Sequence, residues 1–187
     1  MSAIVPPSRP KATREEIARI ANRALWPAAV PRVYVVGIRG YYKRTMGDPT
    51  KNDRGLYDDA LVIVTPDTFA AFNANTDPSR QTPGIATLCP GVHPYRPGNH
   101  GLSKPGGGYP AFRPATPNEE LPVMRDGQPR KTTGIALNIH KGGHTTTSSA
   151  GCQTIHPDQW DEFHGTLTRA LAKAVQFQFP YILTEQP

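Results

Sequence analysis

Cysteine is scarce in this chain: Cys89 and Cys152 are the only two in 187 residues. That excludes the dense disulfide framework of small secreted domains, so the fold has to rest on an apolar core. Also missing is any apolar run of about 18 residues, the length a membrane-crossing helix needs. The opening stretch MSAIVPPSRPKATREE has no signal-like apolar segment, and synthesis in a cytoplasm is the expectation. Acidic residues are outnumbered 15 to 21, a formal charge of +6 that favours anionic partners. The cations are scattered, with no Lys/Arg tract or Arg/aromatic ladder, so nucleic acid is not an expected partner. Internal repeats and linkers between large domains are absent too.

What is present reads as loop-rich β structure. Pro (21) and Gly (17) interrupt short apolar runs throughout. The expected class is mainly β with α (α+β), a mixed sandwich or barrel-like domain over residues 31–187, preceded by an extension and helix in 1–30. Residues 1–11 are Pro-rich and polar, the composition of a mobile segment. Thr13 and Glu16 then make a capping box for a helix that Pro27 ends. RVYVVG from Arg32 and the run from Leu56 to Val64 have the β-branched pattern of buried strands. Asp58 and Asp59 are adjacent, so their side chains point to opposite faces there and mark strand entry. Residues 66–72 suggest a helical turn, 73–83 a loop, 84–89 a strand and 90–101 a turn. Residues 103–117 have the length and composition of a lid loop. Residues 121–124 and 134–139 flank a turn at Asp126-Gly127, a hairpin whose second strand delivers His140. His156-Pro157-Asp158 opens a helix to about Val175 with Trp160, Phe163, Leu167 and Leu171 as its stripe. A last strand falls at 177–183.

The chemistry concentrates between Gly134 and Gln159. His140 leaves a strand, a Gly- and Thr-rich loop follows, and Ser149-Ala150-Gly151-Cys152 leads into a second β run. A thiol attacks as thiolate, and a neighbouring imidazole is the usual proton acceptor near neutral pH. Gly151 permits the tight backbone that would expose the thiol and its neighbouring N–H groups. A zinc set of His140, His144 and Cys152 is the competing arrangement, although Gly142-Gly143 argues against a helix that would present both histidines. Cys152 as a small core residue and His140 as a strand-end hydrogen-bonder is the bland one. Cys89, ending an apolar segment, reads as a buried thiol, His156 as a helix-start feature and His164 as an exposed helix residue. The Tyr- and Arg-rich stretch 38–44 suits a carboxylate-bearing peptide or a sugar, with Arg39 as its contact.

This strand-His, glycine loop and Ser-x-Gly-Cys order resembles the catalytic signature of the L,D-transpeptidase (YkuD-like) domains. His140 matches the first element, and Ser149, Gly151 and Cys152 the second. Ala150 stands where that family usually has His or Arg, and the loop is shorter. The resemblance implies a cysteine enzyme on the stem peptides of bacterial peptidoglycan, with Cys152, His140, Gly151 and Ser149 as its catalytic residues and no cofactor. Residues 82–95 look like the segment bordering the substrate cleft, which adds Tyr95 as a substrate contact, and His93 and His100 join it where the preceding loop folds over Cys152. His144 is another, standing in for the imidazole missing at Ala150. A basic single domain without a leader is similar to lysins released at host lysis, which favours hydrolysis by a monomer acting on the wall after release or delivery. Cross-link formation, a zinc peptidase and a silent wall-binding protein are the alternatives.

Overall fold

Residues 4–50 and 52–185 are described by the computed structural model. Among them α1 (Arg14–Leu25) is followed by β1 (Tyr34–Arg39), β2 (Asp59–Val64) and β3 (Phe69–Asn75). Next come β4 (Ala86–Leu88), β5 (Gly91–His100), β6 (Tyr109–Pro114), β7 (Leu121–Arg125) and β8 (Thr132–Gly134). The chain ends with β9 (Ile139–Lys141), β10 (Gln153–Ile155), α2 (Pro157–Ala174) and β11 (Phe179–Glu185). Eight strands close a barrel in the order β1-β11-β5-β6-β9-β10-β3-β2, and β4-β7-β8 form a small separate sheet. The expected α+β class holds, with a closed barrel as its core.

The apolar runs of β1 and β2 are continuous because both of their faces are covered. Val33, Val35, Leu61 and Ile63 point into the barrel, while Tyr34, Val36, Ile38, Ala60, Val62 and Val64 pack outward with Ile17 and Ala21 of α1. Both halves of the α1 capping box form: the Glu16 N–H donates to Thr13 Oγ1 (3.2 Å) and the Thr13 N–H to Glu16 Oε2 (2.9 Å). Inside the barrel Phe72, Tyr95, Phe112, Phe179 and Tyr181 fill the space that eight strands enclose. The stripe of α2 joins them, with Phe163 edge-on to Phe72 at 5.2 Å between ring centroids. No helix among the described residues is long and apolar enough to cross a membrane.

Four local expectations are corrected. Residues 66–72 are not a helical turn: Phe69–Asn75 is a strand paired to both β2 and β10, with Phe72 and Ala74 facing the core. Tertiary pairing there overrides short-range propensity. The supposed turn at 90–101 is ten residues of strand. Its Pro94 lies opposite Pro180, so two missing donors fall at one rung. The 103–117 loop contains β6. The hairpin of β7 and β8 exists, but it belongs to the small sheet. Ala136, at φ 57°, turns the chain before His140 enters the barrel on β9.

The N-terminal segment is not loose where it is described; residues 1–3 of the expected mobile stretch lie outside the described residues. The Ile4 carbonyl accepts the Tyr57 N–H (2.7 Å), and the Ser8 carbonyl accepts Tyr42 Oη and Asn73 Nδ2. Arg9 stacks on Phe72 and reaches both carboxylate oxygens of Glu162 on α2. Asp59 plays a structural part, accepting the N–H groups of Gly40 and Thr76 at 2.5 Å each.

Phe163 is fully buried. Phe163→Ala should therefore cost about 3–5 kcal/mol in urea unfolding, the range for an aromatic truncated in a packed core. A loss under about 1 kcal/mol would mean that α2 does not seal the barrel as described.

Candidate active site

His140 lies at the centre of β9, and its hydrogen bonds decide which ring nitrogen is basic. Nδ1 is 2.8 Å from the Lys141 carbonyl and 3.0 Å from the Tyr109 hydroxyl. A carbonyl only accepts, so Nδ1 carries the proton of the neutral ring and Nε2 holds the lone pair. His100, at the end of β5, stacks on His140 with centroids 4.0 Å apart and planes inclined by 24°. Asn138 Nδ2 contacts His100 Nδ1 at 3.0 Å. Cys152 arrives just before β10. Its Sγ and one nitrogen each of His100 and His140 lie within 4.8 Å of one another.

The turn before Cys152 is built by Ser149, whose Oγ accepts the Gly151 N–H (3.0 Å) and donates to the Cys152 carbonyl (2.7 Å). That makes Ser149 a positioning residue and commits the Gly151 N–H within the turn, away from the expected oxyanion role. Gly151 has φ 122°, and a Cβ there would collide with the Ala86 carbonyl oxygen. Only glycine fits. The thiol itself donates to the Ala136 carbonyl at 3.5 Å.

Burial pushes the Cys152 thiol up to about 11, although the Asn138 main-chain N–H and Arg113 pull the other way. Burial likewise depresses His140 to about 4, reinforced by His100 and opposed by the Lys141 carbonyl. At neutral pH the resting pair is thus thiol and imidazole, both uncharged. The expectation of a thiol already activated near pH 7 does not describe this resting site.

A cleft of about 580 Å³ opens over His100 and His140, walled by Lys104, Tyr109 and Lys141 and by Trp160, Asp161 and His164 of α2. Cys152 is 8 % exposed and does not line it. A groove of about 640 Å³ beneath α1 carries neither imidazole nor thiol. The barrel wall holds three of the remaining candidates. His93 is buried with Nε2 2.8 Å from the Cys89 carbonyl, and Tyr95 is in the core donating to the Leu137 carbonyl at 2.6 Å. Arg39 is buried against Thr76 and the Leu88 carbonyl. None of the three lines the cleft: His93 and Tyr95 hold main-chain carbonyls, and Arg39 divides its donors between main-chain carbonyls, the Thr76 hydroxyl and Glu185. His144 is exposed, but faces His156 and Asp158. The zinc set of His140, His144 and Cys152 is therefore not assembled; His100 takes the place of His144.

No protein-family model, curated protein or solved structure matches the chain.

Asn138, Tyr109, Trp160, Asp161 and His164 escaped the sequence reading as site residues. Asn138 carried a signal, since it stands two residues before His140 in the run read from the sequence as extended. His164 lies one helical turn beyond Trp160, so the edge of the core stripe was the place to look for a cleft wall.

Two outcomes are expected. Iodoacetamide should modify Cys152 slowly at pH 7, with a rate that keeps climbing beyond pH 9; a plateau below pH 7 in peptide mapping would contradict the neutral resting pair. His140 is depressed in the folded state, so the unfolded chain takes its proton first as pH falls from about 6.5. The stabilisation is complete above that value and is lost towards pH 4, a span of about 3 kcal/mol. His140→Gln should flatten that part of the stability profile in urea titrations. An unchanged slope would remove His140 as its source.

Proposed function

We propose that this protein is a cysteine acyl-transfer enzyme that hydrolyses peptide bonds in the stem peptides of bacterial peptidoglycan. The observation that carries the reading is the meeting of Cys152 Sγ, His140 and His100 within 4.8 Å, with the two imidazoles lining an open cleft and the thiol buried behind them. Sγ turns from the Ala136 carbonyl, His140 Nε2 takes its proton, and sulfur attacks the peptide carbonyl carbon. The tetrahedral oxyanion collapses with loss of the amine, which receives the proton from His140, and a thioester remains. Water attacks the thioester with His140 as base, releasing a carboxylic acid and the thiol. Because both partners rest neutral, the proton moves as the C–S bond forms, and His100, stacked on His140, holds the ring in position.

Lys104 and Lys141 at the cleft offer counter-charges to peptide carboxylates, and Trp160 offers an apolar wall. The choice of peptidoglycan comes from the L,D-transpeptidase likeness. An acceptor amine in place of water would make the same site a cross-linking enzyme. A second reading has specific support: His100, His140 and Cys152 form an N, N, S donor set that leaves a fourth position open on zinc.

Mass spectrometry of purified muropeptides separates these readings. The native chain should cleave them, and Cys152→Ala and His140→Ala should each lose about a hundredfold or more, the scale of general-base catalysis. EDTA should leave the rate of His144→Ala unchanged. Loss in EDTA that zinc restores in His144→Ala would assign the zinc reading, new cross-linked products would assign transpeptidation, and an inert native chain that still sediments with the wall would leave only binding.

A further inference from the structure

A second set of convergent donors lies outside this site. His144 on the 142–151 loop, His156 at the N-cap of α2 and Asp158 in its first turn each bring one ligand atom within 4.8 Å of the others. His144 Nδ1 is 3.8 Å from Asp158 Oδ1, and His156 Nδ1 is 3.8 Å from Asp158 Oδ2. Those gaps are too long for hydrogen bonds. They are close to the separation of about 3.3–3.5 Å between neighbouring ligands on a tetrahedral zinc ion, which follows from Zn–N and Zn–O bonds near 2.0–2.2 Å.

We propose that His144, His156 and Asp158 bind one divalent metal ion of the zinc class, fastening the 142–151 loop to the first turn of α2. The donor set, two imidazoles and one carboxylate, suits zinc and neighbouring transition metals rather than calcium or magnesium, which take oxygen ligands. His156 is the fixed member: it is buried and lies edge-on to the Tyr57 ring at 5.1 Å. Its Nδ1 accepts a long 3.4 Å hydrogen bond from the Asp158 N–H, a weak cap on α2 that a metal would displace, and lies 3.8 Å from Asp158 Oδ2. His144 and Asp158 have side chains 67 % and 71 % exposed, so an ion can enter and both can swing the few tenths of an ångström needed. The positive end of α2 works against a cation, and the Asp158 charge in the same turn counters it. Three protein donors leave a fourth position for water.

The location gives the ion a consequence. Gly142 and Ser148 of the loop and Trp160, Asp161 and His164 of α2 all line the cleft over His140. A metal joining loop to helix would fix the distance between those two walls. This inference does not rest on the chemistry proposed for Cys152, and its test is independent of activity.

Cobalt(II) is the probe, because a thiolate ligand adds an intense near-ultraviolet charge-transfer band that nitrogen and oxygen donors lack. Titration of the full chain should give visible d–d absorption with no need for that band, and Cys152→Ser should leave the d–d signal intact. His144→Ala and Asp158→Asn should each weaken cobalt and zinc binding at least tenfold, while melting like the native chain in EDTA because both side chains are exposed. Zinc should raise the Tm of the native chain and of Cys152→Ser, and not of His144→Ala. The proposal falls if affinity is unchanged in both variants, if the native chain binds no cobalt at millimolar concentration, or if all binding disappears in Cys152→Ser, which would assign the ion to His100, His140 and Cys152.

Discussion

The parallel pairing of β9 with β10 is the constraint on which the site depends. Three rungs, Ile139 with Gln153, His140 with Thr154 and Lys141 with Ile155, hold the two strands side by side. Parallel neighbours require a return connection of about a dozen residues, and here the 142–152 loop supplies it. That loop is fastened at each end: the Gly142 N–H donates to the Ile155 carbonyl, the Ser79 N–H to the Ser149 carbonyl, and the Ser149 N–H to Ser79 Oγ. His140 and Cys152 meet because the strands that carry them are locked in register. On the other side β9 meets β6 at one rung, Phe112 with Ile139. The barrel thus closes at its shortest seam, where the candidate chemistry sits.

Burial then sets the charge state of what the seam brings together. His140 and Cys152 both rest neutral, one pushed down and the other up by the same loss of solvent. A related effect acts on two buried carboxyls, one just before β2 and one just after β3. Desolvation, with repulsion from Asp59, raises Asp58 and Asp77, whose folded forms hold protons that the unfolded chain would release. That contribution to stability is present at low pH and is lost as pH rises through the folded values, the reverse of the His140 trend. The protein is bracketed by ionisable groups that favour neutrality in its interior.

Much of the frame was legible in the sequence, for identifiable reasons. The α1 capping box, the two-sided strands β1 and β2 and the α2 stripe are local patterns read over a few residues, and they fold as read. β3 and β5 were not legible, because one is alanine-rich and the other proline-bearing and only pairing with distant strands makes them extended. The same division holds at the site. His140, Ser149, Gly151 and Cys152 are close in sequence and carry a recognisable order, whereas His100 joins them by the β5–β6–β9 succession across the sheet. Residues chosen for their chemical type alone, Arg39, His93 and Tyr95, turn out to spend that chemistry inside the barrel, His93 and Tyr95 on main-chain carbonyls and Arg39 on carbonyls, the Thr76 hydroxyl and Glu185.

Closure of the barrel also bears on how the chain behaves in company with its own copies. Among the described residues every barrel strand has a neighbour on each side, so the barrel spends most of its main-chain donors and acceptors within itself, with the one-rung β6–β9 seam as the thin point. The outer strands of the small sheet, Ala86–Leu88 and Thr132–Gly134, are three residues each. Edges that short give strand-by-strand stacking too few rungs to take hold. A β-rich chain with few charged residues on its strands is thereby protected from polymerising through its sheets by topology, without needing charges placed to repel a neighbour.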